Sequence, residues 1–113
     1  MTRSIALLAA AGTLSFAAVQ RAPQEPTGRD LYVKYCVACH GETGTPTRLA
    51  RAQWSSIPTL SAPGFLEARS DDSLAAVAHK GVGKDMPPYN AKLTREQMLA
   101  VAHYVRSLGT KTP

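Results

Sequence analysis

Apolar residues recur along this chain at helical spacing, and no segment shows convincing strand alternation. The clearest run lies near the C-terminus, where Met98, Val101, Tyr104, Val105 and Leu108 make one stripe. Ahead of it, Thr94-Arg95-Glu96-Gln97 is a capping-box pattern, in which the threonine and glutamine side chains each satisfy the other's backbone N–H. Gly109 is expected to stop this helix. A second helix is predicted from about Asp71 to Lys80. Ser70 or Asp71 caps its start, Gly81 ends it, and Leu74, Val77 and Ala78 form its apolar side. A third is predicted from Thr27 or Gly28 to about Cys39, with Gly28, Leu31, Tyr32 and Tyr35 on one face. Between 41 and 63 the chain is rich in Gly, Pro, Ser and Thr, so loops are expected, with at most a short helix around Arg48–Trp54. The stretch from Gly81 to Tyr89 cannot be helical through Pro87 and Pro88. There is no internal repeat. The reading is all-α, with about three to four helices.

The N-terminal pattern differs. Arg3 precedes an apolar run from Ile5 to Phe16, and small residues follow at Ser15, Ala17 and Ala18, as in a secretory signal peptide. The run is shorter than the roughly 20 residues a spanning helix needs. Residues 1–18 are therefore expected to be a cleaved export signal, with no membrane span afterwards. Residues 19–27, with two prolines, read as a flexible leader, and 28–110 as a single domain.

Length then constrains the core. The chain has 113 residues, of which 6% are aromatic. A domain of fewer than a hundred residues is hard to stabilise on its own side chains, so a large apolar group bound at its centre would help. The net charge is +5, but the lysines and arginines are scattered with no basic run or aromatic interleaving. A nucleic-acid partner is not expected; a mildly basic face suits steering toward an acidic one.

The chemistry lies in Cys36-Val37-Ala38-Cys39-His40, which holds both cysteines of the chain. Cys-x-x-Cys-His is the attachment pattern of c-type haem. Two thiols one helical turn apart reach two neighbouring vinyl groups, and the following imidazole turns to the iron. Cys36 and Cys39 are thus candidate thioether positions for one covalent haem c, and His40 a candidate axial ligand. A Cys36–Cys39 disulfide would close a tiny loop, stabilise little and leave His40 unexplained. The other ring nitrogen of a ligating histidine usually donates to a carbonyl; Pro46 and Pro58 are both candidates. For the opposite ligand, the choices are Met86, Met98, His79, His103, a lysine or water. Core packing suffices to explain Met98, and both histidines fall on solvent-facing helix positions. Met86 sits in a loop braced by Pro87 and Pro88 and is the favoured residue.

With these residues in hand, Gly28-x-x-x-Tyr32-x-x-x-Cys36-x-x-Cys39-His40-Gly41, then Gly81, Met86-Pro87 and Val101-x-x-Tyr104-Val105, resembles the class I cytochrome c family. The likeness is to small bacterial monohaem members and covers essentially everything after residue 27. It implies that the first and last helices cross, with Gly28 and Tyr32 meeting Val101 and Tyr104. It also implies thioethers at Cys36 and Cys39, with His40 and Met86 as axial ligands. The stretch 42–49 is shorter than the family's Gly-rich loop, which leaves the role of Pro46 open.

The implied function is an exported, periplasmic single-electron carrier that meets redox donors and acceptors transiently as a monomer, not an enzyme in itself. A variant of the same chemistry is the haem subunit of an oxidoreductase. A different class is gas sensing or peroxidase chemistry at an open iron, with Met86 unbound. A third is a haem-free redox dithiol or zinc half-site. No βαβ pattern accompanies the cysteines, and zinc needs more ligands than are grouped here. Trp54, Arg48 and Arg51 are candidate neighbours of the haem propionates, and Tyr89 and Asn90 candidate residues for orienting the Met86 sulfur.

Overall fold

The structure, a computed structural model, describes residues 7–110. Arg3 and Ile5 of the expected export signal lie outside them. Residues 7–26 carry no secondary structure and are exposed. Five helical segments follow: α1 (Gly28–Tyr35), α2 (Val37–His40), α3 (Arg48–Gln53), α4 (Asp71–Lys80) and α5 (Arg95–Thr110). Among the described residues there is no strand, and the one bridge pairs Val82 with Met86. No helix among them is long and apolar enough to cross a membrane.

Local signals account for most of the boundaries. The Thr94 N–H donates to Gln97 Oε1 at 2.9 Å, and the Gln97 N–H donates to Thr94 Oγ1 at 3.1 Å, which is the expected capping box. A second capping box, not anticipated from the sequence, starts α1: the Thr27 N–H donates to the Asp30 carboxylate at 3.0 Å and the Asp30 N–H to Thr27 Oγ1 at 3.2 Å. Ser70 caps α4 by accepting from the Ser73 N–H at 3.1 Å, and Gly81 ends it with φ +70°. The short helix expected near Arg48 is α3.

Two expectations need correction. The first helix does not run on to Cys39. It ends at Tyr35, and Cys36, at φ −119° and ψ −34°, separates it from the single turn of α2. Nor does Gly109 stop the last helix. It lies inside α5, where a Cβ would press within 2.5 Å of Leu66 Cδ1. Its missing side chain serves the approach of the 61–67 loop, not a chain reversal.

The core is formed where α5 packs on α1 and on α4. Leu31, Tyr32, Met98, Val101, Val105 and Leu108 are all buried. At the α1/α5 crossing a Cβ on Gly28 would collide with the Ala100 carbonyl, so only glycine permits this approach. One turn further on, the Tyr32 and Tyr104 rings lie 5.3 Å apart at 58°, a favourable tilted pair. This is the crossing that the resemblance implied.

Candidate functional site

The segment bearing the cysteines is held from two sides. Tyr32, 1% exposed, donates its hydroxyl to the Gly41 carbonyl at 2.7 Å. Burial keeps that phenol protonated by raising its pKa well above the ordinary value. From the other side, Thr47 donates its hydroxyl to the Ala38 carbonyl at 3.1 Å and its N–H to the Cys39 carbonyl at 3.1 Å. Gly41, at φ +74°, turns the chain where a Cβ would collide with the Thr45 carbonyl.

Opposite it, the 81–89 loop is closed on itself. The Val82 N–H donates to the Met86 carbonyl at 2.9 Å, and the Met86 N–H to the Val82 carbonyl at 3.2 Å. Gly81 makes the turn possible, because a Cβ there would collide with the Met86 carbonyl. The prolines after Met86 hold the exit in an extended form.

Between these segments lies a cavity of about 250 Å³. Cys36, Cys39, His40 and Met86 all line it, with apolar walls from α4, α5 and the 57–65 loop. Leu74, Val77 and Ala78, the expected apolar side of α4, face this space, while Ala75 enters the protein core. Among the described residues neither His79, His103 nor any lysine lines the cavity. Both histidines are exposed, and His103 Nδ1 lies 3.4 Å from Asp71. Met98 does line the wall, but as a 2%-exposed member of the α5 stripe.

His40 is the least satisfied polar group. Its Nδ1 is buried and has no hydrogen-bond partner. Neither Pro46 nor Pro58 accepts from it, contrary to expectation. Pro46 is buried, and Pro58 lines the cavity. Burial lowers the His40 pKa, which favours the neutral imidazole that a metal needs. Cys36 is also partly sequestered. Burial, with a smaller contribution from Cys39, pushes its thiol up to about 11. Such a thiol is protonated at neutral pH and is a poor attacking nucleophile, which weighs against a redox-dithiol role. Among the described residues no group of three or more His, Cys, Asp or Glu side chains is arranged to hold a metal ion.

Of the polar residues suggested at the rim, Trp54 lines the cavity, and Arg48 and Arg51 do not. The arginine that does is Arg69, stacked 3.9 Å above the Phe65 ring and donating to the Phe65 carbonyl at 2.8 Å. No sequence signal singled it out, because the loop that brings it there has no periodicity. Tyr89 lines the wall, and its hydroxyl donates to the Tyr35 carbonyl at 3.1 Å. Asn90 is exposed.

The family described as cytochrome c oxidase, cbb3-type, subunit III matches residues 23–105. The chain belongs to this family of c-type cytochromes. Among curated proteins it is similar to the cbb3-type cytochrome c oxidase subunit FixP of Bradyrhizobium diazoefficiens, 30% identical over 82 residues. That alignment takes in 73% of this cytochrome but only 27% of FixP, so the chain spans about a quarter of that relative. Among solved structures it is similar to the KustC0563 c-type cytochrome, with a TM-score of 0.67 and 28% identity over 74% of this chain and 98% of that one. A tyrosine-to-phenylalanine variant of KustC0563 gives a TM-score of 0.66 at 26% identity, over 74% and 99% of the two chains. The all-α architecture is accordingly that of a small class I c-type cytochrome, and haem-based electron transfer is the chemistry of the family.

The cavity suits such a group. Its walls are largely apolar, and the imidazole of His40 and the thioether of Met86 are among its lining, the nitrogen and sulfur donors that bind haem iron.

Proposed function

We propose that this cytochrome is an exported carrier of single electrons. Its one haem c would be bound through Cys36 and Cys39, with His40 and Met86 as axial ligands. The observation that carries this reading is the convergence of those four side chains on one apolar cavity. When bound, haem supplies a one-electron ferric/ferrous couple. The chain's residues set its conditions. Neutral His40 would hold it from the α2 side. Met86, a soft and uncharged ligand, favours the ferrous state and a high potential. With both positions filled, oxygen and peroxide would have no place to bind, whereas Met86 unbound would leave the open site of a gas sensor or peroxidase. The apolar side chains of α4 and α5 would lower the dielectric around the haem. In the same proposal residues 1–18 are a cleaved signal, 19–27 a leader and 28–110 the working domain. The location is periplasmic, and the protein is a monomer that meets its donor and acceptor transiently. Small, short-lived interfaces are usual for such encounters.

A second reading is favoured by the family match and by FixP: the chain works as the haem subunit of an oxidoreductase, passing electrons within a complex. Purification of the native protein separates the two, since a subunit brings its partners with it and a shuttle does not.

The test of the main reading is a reduced-minus-oxidised spectrum of the exported protein combined with its intact mass. A c-type spectrum, a mass increased by one haem and pigment that stays with the polypeptide in acidified solvent are expected. A mass equal to the amino acids alone, or pigment that leaves into the solvent, overturns it.

A further inference from the structure

The helix break at Cys36 frees a backbone acceptor, and the residue that takes it comes from across the cavity. In an uninterrupted helix the Cys39 N–H would donate to the Tyr35 carbonyl. Here it donates to the Cys36 carbonyl at 3.2 Å, and the Tyr35 oxygen accepts from the Tyr89 hydroxyl at 3.1 Å. The two tyrosine rings meet edge to face, with centroids 5.9 Å apart at 64°.

Tyr89 stands three positions after Met86 and is joined to it by two prolines, whose φ angles are fixed and which have no N–H to donate. The loop is therefore tied at three places. The Val82/Met86 pair closes it. The Tyr89 N–H donates to the Ala78 carbonyl of α4 at 2.9 Å. The Tyr89 hydroxyl reaches Tyr35, the residue before Cys36. Of the hydrogen bonds made by the described residues of this loop, only the third joins it to the segment that carries the cysteines.

We propose that Tyr89 is a positioning residue, a latch that holds the Met86 loop closed over the cavity by bonding the carbonyl freed at the α1/α2 break. The proposal rests on the reading of Met86 as an axial ligand. With the latch in place, the loop that carries Met86 opens rarely. Without the hydroxyl, the loop opens more often, and an exogenous ligand enters through that open state.

The test compares wild-type holoprotein with Tyr89→Phe, which keeps the ring contact and removes only the hydroxyl. Cyanide binding to the ferric protein should be about three- to tenfold faster in Y89F, the range expected for losing one neutral hydrogen bond. The weak charge-transfer band of iron–methionine bonding should persist in both. In a Met86→Ala background, where nothing has to leave, Y89F should add no further acceleration. Amide exchange at Val82 and Met86 should speed up by a similar factor in Y89F, and this readout does not depend on ligation. Equal cyanide rates with the band present in both proteins overturn the latch. So does an equal acceleration in the M86A background, which would make Tyr89 a general structural residue. A wild-type protein without the band overturns the ligand reading instead, and the exchange rates at Val82 and Met86 then decide the latch.

Discussion

The α1/α5 crossing and the wall formed by α4 and the Met86 loop use similar residues to different ends. At the crossing, apolar side chains meet other side chains. Tyr32 is 1% exposed and Val101 6%, and Gly28 brings the helices close enough for backbone contact. On the other side, Val77 is 41% exposed and Val82 56%, although both line the cavity. Val77 belongs to the apolar side of α4 and Val82 to the loop that follows it, and both face a space between segments. At the crossing the chain buries its own side chains even where they border the cavity, as Tyr32 and Val101 do, while the wall of α4 and the Met86 loop is left part-exposed around it. That division explains how so short a sequence specifies a fold with few aromatic residues.

The comparison can be broken most severely on the cavity side. Replacing both Cys36 and Cys39 with alanine should let the bound group leave, after which its contribution depends on concentration. The thermal midpoint is expected to fall by roughly 20 °C, or about 3 kcal/mol at the 4–8 °C per kcal/mol of a domain this size. A midpoint that stays within a few degrees of wild type would show that the chain needs no partner at its centre. At the crossing, Gly28→Val should cost about 3 kcal/mol, since neither backbone can yield without moving a helix. Denaturant unfolding measures this, and a neutral result would mean that the close approach is unimportant. Thr94→Ala, which removes half of the α5 capping box, should cost about 1 kcal/mol.

The smallest effect concerns the pairing of α4 with α5. Asp71 accepts from Arg106 Nε at 2.6 Å, and this bond, opposed by burial and helped less by the Arg106 and His103 charges, holds its pKa below the ordinary carboxylate value. A carboxyl depressed in the folded state stabilises above its unfolded pKa of about 4, and that stabilisation is lost as pH falls through the folded value. Asp71→Asn should therefore lower the midpoint slightly at neutral pH. The difference from wild type should shrink as the pH is taken below about 4. A difference that is constant with pH would exclude a role for the Asp71 charge.

How much the sequence revealed follows the same division. Capping residues and apolar stripes act within a few positions of one another, so α4 and α5 could be read almost to their ends, as could the short α3. The chemical pattern at Cys36, Cys39 and His40 is equally local. The break at Cys36 was hidden because the residues on both sides of it are compatible with helix. Gly109 was misread because its lack of a side chain serves Leu66, distant in sequence, and not a turn. Arg69 and the Tyr89–Tyr35 bond were invisible for a related reason: each depends on loops whose paths are set by packing. The acceptor expected for His40 at Pro46 or Pro58 failed because its Nδ1 is buried away from any partner.

The central claim concerns two methionines that line the same cavity, and exchanging each for alanine tests it directly. With Met86→Ala, the iron–methionine band of the ferric protein should disappear and the potential should fall by about 0.1 V or more, within the roughly 0.8 V that axial ligands span. With Met98→Ala, the band and the potential should be retained while stability drops by about 3 kcal/mol. Loss of the band in the Met98 variant and its survival in the Met86 variant would contradict the account.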